Sequence, residues 1–238
     1  MAIIQHKQIL FVALVVSMIM SGCAGLLGPD VKPGLSLSSS GDFKGALAHY
    51  ETIIKSGKAN AKVYRLAYES AFRSGKRTTA EKYFNEAIRA GFAADSLAAL
   101  ATELWYERAL MTMGQDNWVE TGKAAEMVNH YAPDSKPDKF CTLILEGKKK
   151  YDRGAHKGLW DAIVDYSEAA NYNPSSGLPY FLMGQARYKN DRADYDAALE
   201  EYYTALEIEP DGYFANQARE DIKKIEAVKK KMNAFWGK

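Results

Sequence analysis

The sequence lacks the patterns that mark common catalytic and metal sites. No HExxH, CxxC or phosphate-loop pattern occurs in its 238 residues. His49, His130 and His156 are scattered, and no pair of them has the spacing of metal ligands. No acid, base and nucleophile are grouped either. We therefore predict no catalytic residues, no metal site and no cofactor, and the pattern disfavours an enzyme.

The chain also lacks an excess of either charge. It has 31 Lys and Arg against 30 Asp and Glu, a formal net charge of +1. A protein that binds nucleic acid over its whole surface carries a large excess of Lys and Arg over Asp and Glu. No nucleic-acid partner is therefore predicted. A basic run between Lys223 and Lys231 is interpreted as a solvated helix face, with contact to anionic headgroups or an acidic partner as the alternative.

The N-terminus has no apolar run long enough to cross a bilayer, which takes about 20 residues. Ile9 to Met20 gives an apolar run of 12 residues behind the positive charge of Lys7, which is typical of an export signal. Met20-Ser21-Gly22-Cys23 follows, and it resembles the bacterial lipobox, in which an apolar residue and two small residues precede a lipidated cysteine. The alternative is an ordinary signal peptide with an incidental cysteine.

The lipobox resemblance implies a processed and anchored protein. Residues 1–22 would be the signal peptide, and Cys23 would carry acyl chains as the mature N-terminus. Ala24, in place of the Asp that retains lipoproteins at the inner membrane, favours the outer membrane facing the periplasm. Pro29 and Pro33 oppose a helix, so residues 23–40 are predicted to be a flexible tether.

Cysteine is scarce beyond the lipobox. Cys141 is the only thiol left once Cys23 is lipidated, so no intramolecular disulfide can form and the fold must depend on packing. The apolar neighbours of Cys141 indicate a buried helix position and favour a small core residue over a reactive thiol.

What the sequence does contain is a repeat. Gly41 and Gly75 are 34 residues apart, and the same spacing relates Ala46 to Ala80 and Tyr50 to Phe84. A fixed period of this length predicts stacked helix–turn–helix units. Such units usually form extended surfaces for other macromolecules.

The residues at these positions resemble the tetratricopeptide repeat (TPR). Tyr64, Gly75, Ala80, Phe84 and Ala87 match the family pattern, while Tyr68 stands where the family prefers glycine. A second unit spans Tyr180 to Pro210, and its second-helix pattern recurs 36 residues earlier. Between them, Leu97–Met113 and Trp118–Tyr131 indicate a degenerate repeat, and Pro137–Tyr151 indicates a further first helix.

The resemblance implies an all-α, TPR-like α-solenoid of stacked helix hairpins. Residues 41–212 would hold the repeats. Residues 213–238 would form a C-terminal capping helix, whose apolar stripe includes Ile222, Ile225, Met232 and Phe235.

TPR arrays bind extended peptides or partner helices in a concave groove lined mainly by first helices. Projecting the family's groove positions onto this sequence selects Arg65, Glu69, Phe72, Arg73, Phe181, Gln185, Tyr188 and Lys189. Aromatic and arginine residues dominate interface energies, so this mixture of charged and aromatic side chains suits recognition of a partner. The alternative is that these positions are merely exposed or structural. The set does not reproduce the Lys/Asn carboxylate clamp of TPR cochaperones.

Together these features predict a lipid-anchored adaptor or scaffold of the bacterial cell envelope. It would bind envelope proteins through its groove, in the assembly of envelope complexes. The alternative is a lipoprotein that binds a solute or cell-wall fragment and works with a transporter. That function needs a closed pocket, for which Trp105, Trp118 and Trp160 are the candidate neighbours.

Overall fold

The computed structural model describes residues 28–190 and 195–235, and every regular element within these ranges is helical. None of the described helices is long and apolar enough to cross a membrane. The predicted signal peptide and Cys23 lie outside the described residues. The helices of the described residues are α1 (Lys32–Ser39), α2 (Phe43–Lys55), α3 (Ala61–Arg73), α4 (Arg77–Arg89), α5 (Ala94–Gly114), α6 (Trp118–Tyr131), α7 (Lys136–Arg153), α8 (His156–Tyr172), α9 (Leu178–Asn190), α10 (Tyr195–Ile208) and α11 (Ala215–Phe235).

The helices fall into two units. The first ends at Leu97 and the second begins at Ala98, within α5. In the first unit, α1 packs on α2, α2 on α3 and α3 on α4. In the second, each helix from α6 to α10 packs on the next helix along the chain. The predicted all-α, TPR-like α-solenoid class is confirmed.

The 34-residue recurrence of glycine has a conformational cause. Gly41 and Gly75 have the same φ of +81° and follow the ends of α1 and α3. The residue after each glycine donates its N–H to the carbonyl five residues earlier, at 2.9 Å in both cases. This is the helix-ending arrangement in which glycine is favoured because a Cβ would be strained at positive φ. The repeat spacing is therefore the spacing of helix–helix turns.

A glycine in one helix packs against a tyrosine ring in the next at three hairpins. A Cβ added to any of these glycines would lie 2.4–2.9 Å from a ring carbon, so the ring rests directly on the helix backbone. The tyrosines are at most 1% exposed. The pairs are Gly34 with Tyr50, Gly147 with Tyr166, and Gly184 with Tyr202.

In the hairpin of α3 and α4, a tyrosine takes the repeat position of the glycine and a phenylalanine takes that of the tyrosine. Tyr68 lies 34 residues after Gly34, and Phe84 lies 34 residues after Tyr50. Tyr68 is 3% exposed, and its ring meets that of Phe84 edge-to-face at 5.3 Å. A favourable ring–ring contact thus replaces the contact between ring and backbone.

The prediction of a flexible tether over residues 23–40 is wrong for Lys32–Ser39, which is α1. Pro33 lies in the first turn of this helix, where the missing N–H would have no intrahelical partner in any case. The segment is also held in place: Gly34 is buried, and His49 Nε2 is 2.9 Å from the carbonyl oxygen of Asp30.

The predicted hairpin in the middle of the chain is present as α5 and α6. A buried hydrogen bond joins the two helices, with Thr121 Oγ1 donating to Thr112 Oγ1 at 2.9 Å. Cys141 is fully buried in α7, which confirms its prediction as a core residue.

The capping helix begins at Ala215, two residues later than predicted. Its apolar stripe is buried at Ile222 and Ile225, as expected. Met232 and Phe235 are 38% and 80% exposed, so the far end of the predicted stripe is not covered.

Candidate partner-binding surface

Three of the predicted groove residues form a charge ladder on α3. Arg65, Glu69 and Arg73 are four residues apart and therefore lie on one face of the helix. Arg65 Nη2 is 3.2 Å from Glu69 Oε2, and Arg73 Nε is 3.5 Å from Glu69 Oε1. One carboxylate thus orders two guanidinium groups, and the ladder keeps one net positive charge.

Aromatic rings flank this ladder. The guanidinium of Arg73 lies 5.6 Å from the ring centroid of Phe43 on α2. Phe72, the fourth predicted residue of this set, is half-buried and meets the ring of Tyr68 edge-to-face at 6.4 Å. The structure therefore brings all four predicted residues of the first unit together on α3, and their role in binding stays a prediction.

In the second unit, the prediction that Phe181 lines a groove is wrong. Phe181 is 6% exposed. Its ring stacks on that of Phe214 at 5.3 Å and lies 5.8 Å from that of Tyr202. Phe214 precedes α11 and covers this position of α9, which the spacing within one repeat could not show. Gln185 and Tyr188 are half-buried, and Lys189 is exposed.

Lys189 belongs to a cluster that we call the aromatic–basic patch, formed by Trp118, Lys148, Tyr151 and Lys189. Lys189 Nζ lies 4.1 Å from the ring centroid of Tyr151 and donates to the Tyr151 carbonyl oxygen at 3.1 Å. Lys148 Nζ lies 5.7 Å from the same ring and 5.1 Å from the ring of Trp118. Side chains from α6, α7 and α9 therefore alternate cation and ring across one continuous surface.

Charges of both signs lie at the patch, because the indole N–H of Trp118 donates to the carboxylate of Asp116. Lys148 is paired with Asp152, whereas Lys189 has no carboxylate partner among the described residues. Burial raises the pKa of the Tyr151 phenol, with smaller contributions from nearby carboxylates, so this ring is neutral at physiological pH. The patch thus offers cations held over neutral aromatic faces.

Sequence reasoning selected Lys189 but missed Lys148 and Tyr151 as surface residues. One signal was present: Tyr151 precedes Tyr188 by 37 residues, close to the 36-residue spacing of the second helices. Tyr188 itself lies beside Tyr195, with ring centroids 6.1 Å apart.

The tryptophans named for the alternative function lie outside the lining of one cavity that described residues of the second unit form. A cavity of about 290 Å³ lies among α5, the start of α9 and the segment before α11, and Trp105, Trp118 and Trp160 are absent from its lining. Trp160 is 46% exposed, with the guanidinium of Arg187 6.0 Å from its ring. Within the described ranges, no cluster of three His, Cys, Asp or Glu side chains could hold a metal ion.

No protein-family model and no curated protein matches the chain. Among solved structures it is similar to YrrB, described as a TPR protein with an unusual peptide-binding site. The identity is 17%, the TM-score is 0.41, and the match covers 80% of this chain and 90% of YrrB. It is also similar to the TPR2AB domain of yeast Sti1 in its complex with pHSP90. There the identity is 16%, the TM-score is 0.30, and coverage is 86% of this chain and 87% of the other. Similarity at this level concerns the fold alone.

Proposed function

We propose that this protein is a lipid-anchored scaffold of the bacterial cell envelope that binds a protein partner through the aromatic–basic patch. The observation that carries the proposal is the packing of Lys148 and Lys189 over the rings of Trp118 and Tyr151. Cations held this way lose little further side-chain freedom when a partner binds, which lowers the entropic cost of association.

The chemistry of the patch suggests the chemistry of the partner. Half-buried rings supply apolar contact area, and the ammonium group of Lys189, which has no carboxylate partner among the described residues, supplies positive charge. A segment with acidic and apolar side chains would complement both. The α3 ladder of the first unit, with one net positive charge beside Phe43 and Phe72, has the same character.

The anchor would hold the first unit close to the membrane. Cys23 and the first residue of α1, Lys32, are nine residues apart in the chain. Because a chain spans at most about 3.5 Å per residue, the folded first unit would begin within roughly 30 Å of the lipidated cysteine. The scaffold would therefore act on partners at the periplasmic surface of the membrane.

Metabolic labelling with an alkyne palmitate tests the anchor. We expect the wild type and Cys141→Ala to take up label and to sediment with membranes. We expect Cys23→Ala to do neither, because Cys141 is buried and inaccessible to acylation. Label on Cys23→Ala, or soluble and unlabelled wild type, would contradict the lipid anchor.

Quantitative affinity purification from detergent-solubilised, cross-linked envelopes tests the surface. The patch variant combines Tyr151→Ala with Lys189→Glu. Its matched control combines Tyr203→Ala with Lys223→Glu, the same changes at two exposed positions of α10 and α11. We expect the patch variant to lose the main partner at least about tenfold, the effect of losing one strong interface residue. Equal recovery by both variants would refute the assignment of the patch.

A further inference from the structure

The last turns of α11 are more exposed than the role of a capping helix requires. Nearer its start, this helix is held against the body by Ile222 and Ile225, which are buried. Every residue from Lys230 to Phe235 is exposed. Met232 is 38% exposed, and Phe235 keeps 80% of its surface in water even with the contact that it makes. The end of α11 therefore presents apolar side chains to water.

These apolar side chains share one face of α11 with a lysine. The residues of this face, which we call the tip face, recur at three- and four-residue steps and are Val228, Lys231, Met232 and Phe235. Glu226 and Asn233 line the groove that α11 forms with α10. Each of them precedes a tip-face residue by two positions, which places it about 200° round the helix. The tip face therefore points away from that groove.

The end of α11 also carries positive charge that nearby carboxylates do not cancel. Residues 223–235 include five lysines and one carboxylate, that of Glu226, which lies on the groove side. Two of the lysines are paired, Lys224 with Asp221 at 3.1 Å and Lys229 with Asp196. The other three have no carboxylate partner in the described part of the chain, and they are Lys223, Lys230 and Lys231.

We propose that the tip face docks on an anionic lipid surface, as a membrane contact separate from the acyl anchor. Exposed apolar side chains flanked by lysines are typical of helices that lie in a membrane interface. Met232 and Phe235 would enter the boundary between headgroups and acyl chains, while the flexible lysine stems carry their ammonium groups to the lipid phosphates. This contact goes beyond the proposed anchor and does not require it.

A lipid surface suits the tip face better than a protein does. A second copy of the chain would bring the unpaired lysines of two helix ends together, and like charges repel. A protein partner would need a surface shaped to a projecting helix end whose last six described residues are all exposed. A lipid surface needs no such shape, and its anionic headgroups attract every unpaired lysine at once.

The contact is expected to be weak by itself, because it consists of a few lysines and two apolar side chains and is screened by salt. It would orient α11 on a membrane that the anchor already holds. It would not retain Cys23→Ala during sedimentation of cell membranes. Purified vesicles in excess are therefore the system in which it is measured.

A fluorophore on a single thiol tests the contact in the full chain. The background is Cys23→Ala, and because Cys141 is buried, an introduced cysteine is the one accessible thiol. The fluorophore NBD is attached at Ala234→Cys, beside Phe235, or at Asn171→Cys, an exposed control position in the last turn of α8. Vesicles contain equal parts of phosphatidylcholine and phosphatidylglycerol, or phosphatidylcholine alone. Both include a spin-labelled lipid that quenches NBD at short range.

We expect the anionic vesicles to quench the label on α11 and to leave the control label unchanged. Neutral vesicles should quench neither label. Combining Lys230→Glu with Lys231→Glu should weaken the vesicle affinity at least about tenfold, because each lysine near an anionic surface contributes roughly fivefold. The matched control combines Lys58→Glu with Lys62→Glu, the same change at exposed positions of the first unit, and should bind as the parent does.

Equal quenching of the two labels, equal quenching by neutral and anionic vesicles, or an unchanged response of the charge variant would overturn the proposal. A fluorescence shift that grows with protein concentration in the absence of vesicles would assign the tip face to a second copy. A shift with poly-glutamate but none with anionic vesicles would assign it to an acidic protein segment. Either of these assignments would overturn the lipid contact.

This test is independent of the anchor experiment, because its chain has no thiol at residue 23 to carry an acyl group. Palmitate uptake by the wild type without quenching of the label on α11 would overturn the tip-face assignment alone. Quenching of that label together with an unlabelled wild type would overturn the anchor alone.

Discussion

Replacing Gly147 with alanine probes the contact between a glycine in one helix and a tyrosine ring in the next. Gly147 lies inside α7, and an added Cβ would be 2.4, 2.8 and 3.0 Å from three ring carbons of Tyr166. Real Cβ atoms do not come this close, so the ring or the helix must move. Tyr166 is 1% exposed and cannot swing into solvent. The substitution therefore strains the hairpin of α7 and α8.

The expected magnitude follows from two opposing effects. Alanine in place of glycine inside a helix stabilises it by about 1 kcal/mol. Overpacking a well-packed core costs about 1–3 kcal/mol. We therefore expect Gly147→Ala to lower the free energy of unfolding by about 1 kcal/mol.

Gly122→Ala is the matched control, because Gly122 lies inside α6 in the same unit and an added Cβ would meet nothing within 4 Å. This variant should gain about 1 kcal/mol from helix propensity alone. The difference between the two variants, about 2 kcal/mol, then isolates the packing cost. Urea unfolding followed by far-UV circular dichroism measures both. If Gly147→Ala were stabilised as much as Gly122→Ala, the ring-on-backbone contact would be refuted.

Two further predictions concern buried groups. Thr121→Val removes the buried hydrogen bond to Thr112 at nearly constant volume and should lower the free energy of unfolding by about 1 kcal/mol; an unchanged urea midpoint would contradict this. Burial raises the pKa of the Cys141 thiol to about 12, so its neutral form stabilises the fold below the unfolded pKa of about 8.5, and that stability is lost progressively as pH rises from there towards 12. Between pH 7.5 and 9.5 the wild type should lose roughly 1 kcal/mol that Cys141→Ala does not lose, and parallel pH profiles of unfolding would refute this assignment.

The helices could be predicted from the sequence because their signals are local. The turn glycines and the apolar period placed α6 at the residues where it is found and α7 within two residues of its ends. The substitution of Tyr68 for glycine also had a structural consequence, its ring contact with Phe84. Among the helices of the described residues, α1 was the one missed, because Pro33 was interpreted as a helix breaker when it occupies the first turn of a helix.

The surfaces were harder to predict because they depend on side chains that are distant in the sequence. Phe181 has the repeat position of a groove residue, yet Phe214 lies across it. The aromatic–basic patch combines residues of α6, α7 and α9 whose contacts no single repeat encodes. Local periodicity fixes which face of a helix is apolar, whereas the connections between helices decide which of its outer residues remain exposed.

The central claim is that a protein partner binds at the aromatic–basic patch, and photo-crosslinking in living cells tests it most directly. Benzoylphenylalanine is introduced in place of Val119, which is exposed on α6 next to Trp118 of the patch, or in place of Lys223, which is exposed on α11. We predict a discrete crosslinked protein from position 119 and none from position 223. No crosslink from position 119, or the same crosslinks from both positions, would contradict the claim.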